Sequence, residues 1–162
     1  MNYHNITVDD ILNGDGLRTV LWVAGCDHRC RGCQNPQTWP AQSGIPFDDN
    51  AREELFSYLS RDYMSGITFS GGDPLFAPNR ETVGSLIEEI HARFPEKTIW
   101  LYTGSLFEEI RSLPFVPLID VIVDGPYVEA LRDVQLHWKG SANQRVINVK
   151  RSLAAGRVIL WA

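Results

Sequence analysis

Short apolar runs rich in β-branched and aromatic residues alternate along the chain with segments whose apolar residues recur at helical spacing. The apolar runs predict buried strands, and they cover residues 19–24, 66–70, 98–103 and 120–124. Strands that alternate with helices are typical of a parallel sheet built from βα units. The pattern therefore predicts an α/β fold with a mostly parallel sheet.

Two segments between these strands have the apolar stripe of an amphipathic helix. The first stripe comprises Ala51, Leu55, Tyr58 and Leu59, and the second comprises Val83, Leu86, Ile87, Ile90 and Phe94. A shorter helix is predicted to begin at Ser105, because Ser105 and Glu108 have the spacing of a capping box. Two further short strands are expected at residues 145–149 and 157–161, on either side of a loop.

Glycines follow each of the four main predicted strands. They are Gly25, Gly71 with Gly72, Gly104 and Gly125. Because the carboxyl ends of parallel strands meet at one edge of a sheet, we expect these turns to converge on one rim and to carry the functional site. Four to six strands are too few to close an eight-stranded barrel, so we expect a partial, open (β/α) barrel.

The chain has 162 residues, which is enough for one sizeable core. We expect a single domain over residues 1–162, with a core at about 17–127 and a basic C-terminal extension at about 134–162. The N-terminal residues lack the basic and apolar regions of a signal peptide, and no apolar stretch approaches the roughly 20 residues that cross a bilayer. A cytoplasmic protein without a membrane segment is expected. The oligomeric state is left open, a homodimer included.

The formal net charge of −5 argues against a nucleic-acid-binding protein whose affinity rests on neutralising phosphates. No acidic residue follows Asp133, and the basic residues beyond it are Lys139, Arg145, Lys150, Arg151 and Arg157. This basic segment is either a solvated face or a docking surface for an acidic partner. The sequence does not decide between the two.

All three cysteines of the chain, Cys26, Cys30 and Cys33, lie in the segment CDHRCRGC after the first predicted strand. An odd, clustered set favours metal or redox chemistry over disulfides. Thiolates select zinc, copper(I) or iron–sulfur clusters. A zinc site could take His28, His4, His91 or His137 as its fourth ligand, although His28 is too close in sequence to Cys26 and Cys30 to complete a tetrahedron easily. In a 4Fe-4S cluster, three cysteines would leave one iron open. The single loop without a second ligand pair favours the cluster over zinc.

The CxxxCxxC loop after a first strand resembles that of the radical S-adenosylmethionine (SAM) enzymes. Six further segments occur in the order and spacing of one group of these enzymes, the activating components of anaerobic (class III) ribonucleotide reductases: NGDGLRTVLWVAGC, NPQTWP, SGGDPL, WLYTG, VDGPY and GSANQR. The resemblance covers residues 1 to about 147. It implies that Cys26, Cys30 and Cys33 bind a 4Fe-4S cluster whose open iron is chelated by the methionine part of SAM.

The resemblance also implies positions for SAM around the rim. Gly72 and Asp73 of SGGDPL match positions that face the methionine amino group, although the same residues would also suit a tight turn with Asp73 as a cap. Thr103 is a candidate for hydrogen bonds to the methionine carboxylate or the ribose, and Asp124 lies at the same rim. For these two, a threonine that satisfies backbone groups and a simple Asp-Gly turn are the alternatives.

Gly32, Cys33 and Gln34 match the end of the loop that faces the adenine in the family. Gln34 departs from the family pattern, in which tyrosine is common at this position. We expect Trp39 to cover the cysteine loop, where an apolar shell would tune a redox potential. Arg18 is expected to be solvated, and a contact with the cysteine loop or with a partner is the alternative.

The sequence contains no serine–histidine–acid set and no phosphate-binding GxxxxGK[ST] motif, so the chemistry would come from cofactors. The resemblance implies that an electron donor such as flavodoxin reduces the cluster, that SAM is cleaved to a 5′-deoxyadenosyl radical, and that this radical takes hydrogen from a glycine of the large reductase subunit. Activation of another glycyl-radical enzyme, of the formate-lyase type, is one alternative. A non-catalytic zinc or iron–sulfur binding module is the alternative from a different class.

Overall fold

The computed structural model describes all residues from Met1 to Ala162 and contains one seven-stranded sheet. In chain order the strands are β1 (Asn2–Asp10), β2 (Arg18–Val23), β3 (Ile45–Pro46), β4 (Gly66–Gly71), β5 (Thr98–Tyr102), β6 (Val121–Asp124) and β7 (Arg145–Asn148). The α-helices are α1 (Asp49–Leu59), α2 (Arg80–Arg93), α3 (Phe107–Ile110) and α4 (Val149–Ala155). Short 3-10 turns lie at Pro36–Thr38, Ala77–Asn79, Val116–Leu118 and Glu129–Leu131.

The four central strands, β2, β4, β5 and β6, are parallel neighbours, as the hydrophobic pattern predicts. Antiparallel strands flank them on both sides, so the order across the sheet is β3-β1-β2-β4-β5-β6-β7. The two edge strands do not pair with each other, and the sheet is therefore open. The α/β class and the open sheet are confirmed, and the sheet is mixed.

The helices pack on one face of the sheet, where the main hydrophobic core lies. The predicted stripe of α2 is buried there through Val83, Leu86, Ile87 and Ile90. The N-terminus of α1 is capped by Asp48, whose Oδ1 accepts a hydrogen bond from the Ala51 amide at 2.9 Å. A smaller cluster of Trp100, Val121 and Val123 lies apart from this core, with Trp138 and Trp161 packed against it.

Three local predictions differ from the structure. Strand β1 was not expected, because its polar sequence NYHNITVDD lacks a continuous apolar run. The loop expected after residue 149 is largely helix α4, which Asn148 caps at its start and Gly156, with a φ of 68°, ends. The strand expected at residues 157–161 is reduced to a single bridge between Ile147 and Leu160.

The start of α3 lies one residue later than the predicted capping box. Leu106 precedes the helix, and its amide donates to the Glu109 carboxylate at 2.8 Å, so Glu109 takes the role that the spacing assigned to Glu108. Glu108 instead faces Arg145, whose Nη2 lies 2.8 Å from its carboxylate. Glu108 is thus paired with the first residue of β7 and does not cap α3.

Arg18 is fully buried, contrary to the expectation of a solvated side chain. It is the first residue of β2, at the end of the sheet opposite the cysteine loop. Its guanidinium donates to the backbone oxygens of Ile67 and Thr98 at 2.7 and 2.8 Å, and to the Thr68 hydroxyl at 2.8 Å. Burial lowers the pKa of Arg18 to about 10. The residue is therefore a structural cross-link between strands.

Two of the five basic residues in the C-terminal segment are paired with carboxylates within the chain. Arg145 pairs with Asp124 and Glu108, and Lys150 pairs with Asp120 at 2.9 Å. The Lys139 ammonium donates to a backbone oxygen. Arg151 and Arg157 are exposed and form no ion pair within the chain, and the docking surface stays a prediction. No helix of the structure combines the length and apolar character needed to cross a membrane.

Candidate functional site

The cysteine loop leaves the carboxyl end of β2 and is held at its start by backbone hydrogen bonds. The amide of Gly25 donates to Thr38 at 2.7 Å, and that of Cys26 donates to Trp39 at 3.0 Å. Within the loop, the Cys33 amide donates to Cys30 at 3.1 Å. The three cysteines are free and half-buried, and all of them line one open cavity of about 450 Å³.

The glycine turns converge on this cavity, as predicted from the strand order. Besides the three cysteines, the predicted site residues that line it are Gln34, Gly72, Asp73 and Thr103. Gly71, Gly104 and Gly125 form part of the same wall. The structure therefore brings together the ends of β2, β4, β5 and β6 around the thiols. A cavity of this size lies within the range of about 300–1,000 Å³ that is usual for small-molecule sites.

The Asp73 carboxylate is almost completely buried and is engaged by four groups of the chain. Its Oδ1 accepts from the Leu75 amide at 2.8 Å. Its Oδ2 accepts from the Thr103 hydroxyl at 3.1 Å and the Gly104 amide at 3.0 Å, and it lies 2.8 Å from Nε2 of His28. Asp73 thus joins the cysteine loop to the ends of β4 and β5.

Thr103 lines the cavity, but its hydroxyl is already used within the chain. It donates to Asp73 and accepts a hydrogen bond from the Ser105 amide at 3.1 Å. A hydroxyl oxygen can still accept one further hydrogen bond. Thr103 is therefore placed for a ligand contact as an acceptor.

Asp124 and Gly32 do not line the cavity. Both carboxylate oxygens of Asp124 accept from Arg145, at 3.0 and 2.6 Å, and one also accepts from the Phe107 amide at 2.7 Å. The adjacent Gly125 faces the cavity instead. Gly32 is exposed and packs against Glu129, since a Cβ at this position would lie 2.7 Å from the Glu129 carboxyl carbon.

Several residues that the sequence analysis did not assign to the site line the cavity. They are Leu12, Asn13, Trp22, His28, Asn35, Ser70, Tyr102, Tyr127, Gly140 and Gln144. Gln144 belongs to the segment GSANQR, and it joins this segment to the β6 turn by donating from Nε2 to Gly125 at 3.0 Å. The GSANQR motif identified this segment in the sequence. Its position at the cavity depends on the contact with Gly125, which the sequence does not reveal.

Trp39 lies beside the cysteine loop and is not part of the cavity wall. The Arg29 guanidinium lies 5.6 Å from the centre of its ring. Together with the hydrogen bond from Cys26, this contact places Trp39 against the outer side of the loop. The expected covering role stays a prediction.

The electrostatics of the loop reflect its partial burial. Desolvation raises the pKa of the Cys26 thiol. The hydrogen bond with Asp73 raises the pKa of His28. No three His, Cys, Asp or Glu side chains are close enough together to hold a single metal ion. Three free thiols on one loop are a donor set that fits an iron–sulfur cluster.

The chain matches a family model described as a 4Fe-4S single cluster domain over residues 12–147. Among curated proteins, the anaerobic ribonucleoside-triphosphate reductase-activating protein of Enterobacteria phage T4 is 49% identical over 90% of this chain and 93% of its own length. The proteins of that name from Salmonella typhimurium and Haemophilus influenzae are 41% and 37% identical. Each alignment covers 93% of this chain and at least 99% of the relative. At this identity over nearly the whole length, the chain belongs to the family of anaerobic ribonucleoside-triphosphate reductase-activating proteins.

Proposed function

We propose that this protein activates an anaerobic ribonucleotide reductase by reductive cleavage of SAM at a 4Fe-4S cluster. A 5′-deoxyadenosyl radical from this cleavage would take a hydrogen atom from a glycine of the large reductase subunit and leave a glycyl radical. A one-electron donor such as flavodoxin supplies the reducing electron. The observation that carries the proposal is the placement of all three cysteines on one loop that opens into a cavity.

The cysteine loop supplies three of the four ligands that a 4Fe-4S cluster requires. Cys26, Cys30 and Cys33 would each hold one iron, and the fourth iron would face the cavity. In metal sites, a position without a protein ligand is where substrate binds. The family match to a 4Fe-4S single cluster domain supports this assignment.

The cavity that we assign to SAM is lined by glycine turns and by a few polar side chains. The turn at Gly125 adds no side chain on its cavity side, and a Cβ there would have no neighbour closer than 3.8 Å. Thr103, with one free acceptor position, and Gln34, at the far end of the cysteine loop, are the polar residues that we assign to SAM. The side chain of Asp73 acts by holding Thr103 and Gly104 in place.

A second cavity of about 320 Å³ supports the proposal that the hydrogen atom comes from a macromolecule. It shares five residues with the first cavity: Leu12, Asn13, Gln34, Tyr102 and Gly140. Leu12 and Val134 at its edge are 76% and 78% exposed, which is unusual for large apolar side chains. We call this second cavity the groove, and we infer that the glycine-bearing segment of the reductase reaches the cysteine loop along it. A homodimer of the activating protein is compatible with this arrangement.

Activation of a different glycyl-radical enzyme, of the formate-lyase type, would use the same site. The names of the relatives favour the reductase as the target. A non-catalytic zinc or iron–sulfur module is the alternative from another class. The reducing conditions that three free thiols and a reduced cluster require fit a cytoplasmic location.

The proposal is tested by anaerobic reconstitution with iron and sulfide, followed by addition of reductant, SAM and the reductase. We expect 5′-deoxyadenosine and a glycyl radical signal in electron paramagnetic resonance (EPR) spectra. 5′-Deoxyadenosine without a glycyl radical would show that the target is wrong, and stoichiometric zinc without iron would favour the binding module. A Cys30→Ser variant that cleaves SAM at the wild-type rate would refute the cluster assignment.

A further inference from the structure

His28 occupies the middle of the three residues between Cys26 and Cys30, and of these three only His28 reaches the ends of the central strands. Arg29, its neighbour, has a positive φ of 49° and turns its guanidinium toward Trp39. This turn in the backbone leaves the His28 ring pointing to the cavity side of the loop. The loop is thus attached to the rest of the protein at a point between two cysteines.

The partner of His28 is held rigidly by groups other than His28. The Asp73 carboxylate accepts from the Leu75 amide, the Gly104 amide and the Thr103 hydroxyl at 2.8 to 3.1 Å. A carboxylate with three such donors is fixed in orientation before the imidazole binds to it. The contact of 2.8 Å between Nε2 of His28 and Oδ2 of Asp73 therefore orders the loop on the sheet.

Gly104 provides the surface on which the His28 ring rests. A Cβ on Gly104 would lie 2.6 Å from Cδ2 and 2.8 Å from Cγ of His28. Real carbon atoms that are not bonded pack at about 3.5–4.0 Å. The absence of a side chain at Gly104 is therefore required for the ring to reach Asp73.

We propose that His28 is a positioning residue whose hydrogen bond to Asp73 and contact with Gly104 arrange the three thiols before iron binds. The proposal rests on the proposed function in one respect, namely that the cysteines bind the cluster. A loop that is ordered in advance does not have to lose its conformational entropy when the cluster forms. His28 is then comparable to the outer partners that orient ligands at other metal sites.

The first arm of the test needs no metal. Amide hydrogen exchange is measured on the reduced, metal-free full chain of the wild type, His28→Ala, His28→Gln and the control Asp27→Ala. We expect several-fold faster exchange at residues 27–35 in His28→Ala, with strands β4 and β5 unchanged. His28→Gln, whose amide can still donate to Asp73, should restore most of the protection, and Asp27→Ala should match the wild type.

The second arm uses the reconstituted protein. Iron loss to a chelator should be about tenfold faster in His28→Ala than in the wild type, the lower end of the effect known for outer partners of metal ligands. The EPR g-values of the reduced cluster should also shift in His28→Ala and return toward the wild type in His28→Gln. Such a spectroscopic change is not expected from a general loss of stability.

Three results would overturn the proposal. The first is unchanged exchange at residues 27–35 in His28→Ala. The second is faster exchange over the whole sheet, which would mean that His28 only stabilises the fold. The third is a His28→Gln variant that behaves like His28→Ala in both arms. A wild type that binds no iron would instead refute the proposed function, and the exchange arm would still test the role of His28.

Discussion

Replacing Gly104 by alanine isolates the contact between the end of β5 and the cysteine loop. The φ of Gly104 is not in the left-handed region, so its backbone accepts alanine without strain. The obstacle is the His28 ring, which the new methyl group would approach to 2.6 Å. An ordinary contact would need the ring to move by about 1 Å, which breaks its hydrogen bond to Asp73.

The expected cost follows from these two effects. Overpacking costs about 1–3 kcal/mol, and the lower end applies because the His28 side chain is 28% exposed and can move toward solvent. The lost hydrogen bond adds about 1 kcal/mol. We expect Gly104→Ala to lower the free energy of unfolding by about 2 kcal/mol, or the midpoint of thermal unfolding by about 4–8 °C for a chain of this length.

A double-mutant cycle measured by urea denaturation of the reduced, metal-free protein checks the cause. His28→Ala alone should cost about 1 kcal/mol. In that background the alanine at position 104 has room, so its further effect should be neutral or stabilising by up to about 1 kcal/mol, because alanine restricts the unfolded chain. If Gly104→Ala costs the same in both backgrounds, the His28 ring is not the obstacle and the reasoning is wrong.

Three further predictions concern other parts of the molecule. Arg18→Lys should lower the free energy of unfolding in urea by about 2 kcal/mol or more, because lysine cannot reach all the acceptors that the buried guanidinium serves; a change below about 0.5 kcal/mol would contradict this. The hydrogen bond from Arg145 lowers the pKa of Glu108, so the pair stabilises the protein above the unfolded pKa of Glu108 and this contribution is lost as the pH falls through the lower folded pKa. Glu108→Gln should remove that part of the acid dependence in thermal unfolding measured from pH 7 to about pH 3, and an unchanged profile would argue against it. Leu12→Glu should reduce glycyl radical formation on the reductase while 5′-deoxyadenosine is still produced. Ile45→Glu, at a residue that is also exposed but lines neither cavity, should have no effect, and equal losses in the two variants would exclude the groove.

The parallel core and the position of the cysteine loop could be predicted from the sequence because both depend on local patterns. Strand β4 and helix α2 bury almost every apolar residue that the periodicity assigned to them. The glycines mark the strand ends, and parallel strands place all such ends at one edge. The three cysteines of CxxxCxxC could likewise be placed close together, because they all lie on one short loop.

Elements whose structure depends on tertiary contacts were harder to predict. The polar strand β1 is recognisable only once β2 is there to pair with it. Helix α4 carries local signals in Asn148 and Gly156, but the neighbouring apolar residues suggested strands. In these segments the tertiary contacts decide between two structures for which the local sequence has similar preferences.

The amino-acid sequence by itself therefore determined the four parallel strands, their glycine rim and the three thiols, because periodic burial and loop length are local properties. The tertiary structure decided which polar side chains line the cavity and which are used within the protein. Asp124 is committed to Arg145, and Asp73 is committed to His28 and the end of β5. Such pairings join residues that are distant in sequence, and their hydrogen bonds form only when the fold has brought the strand ends together.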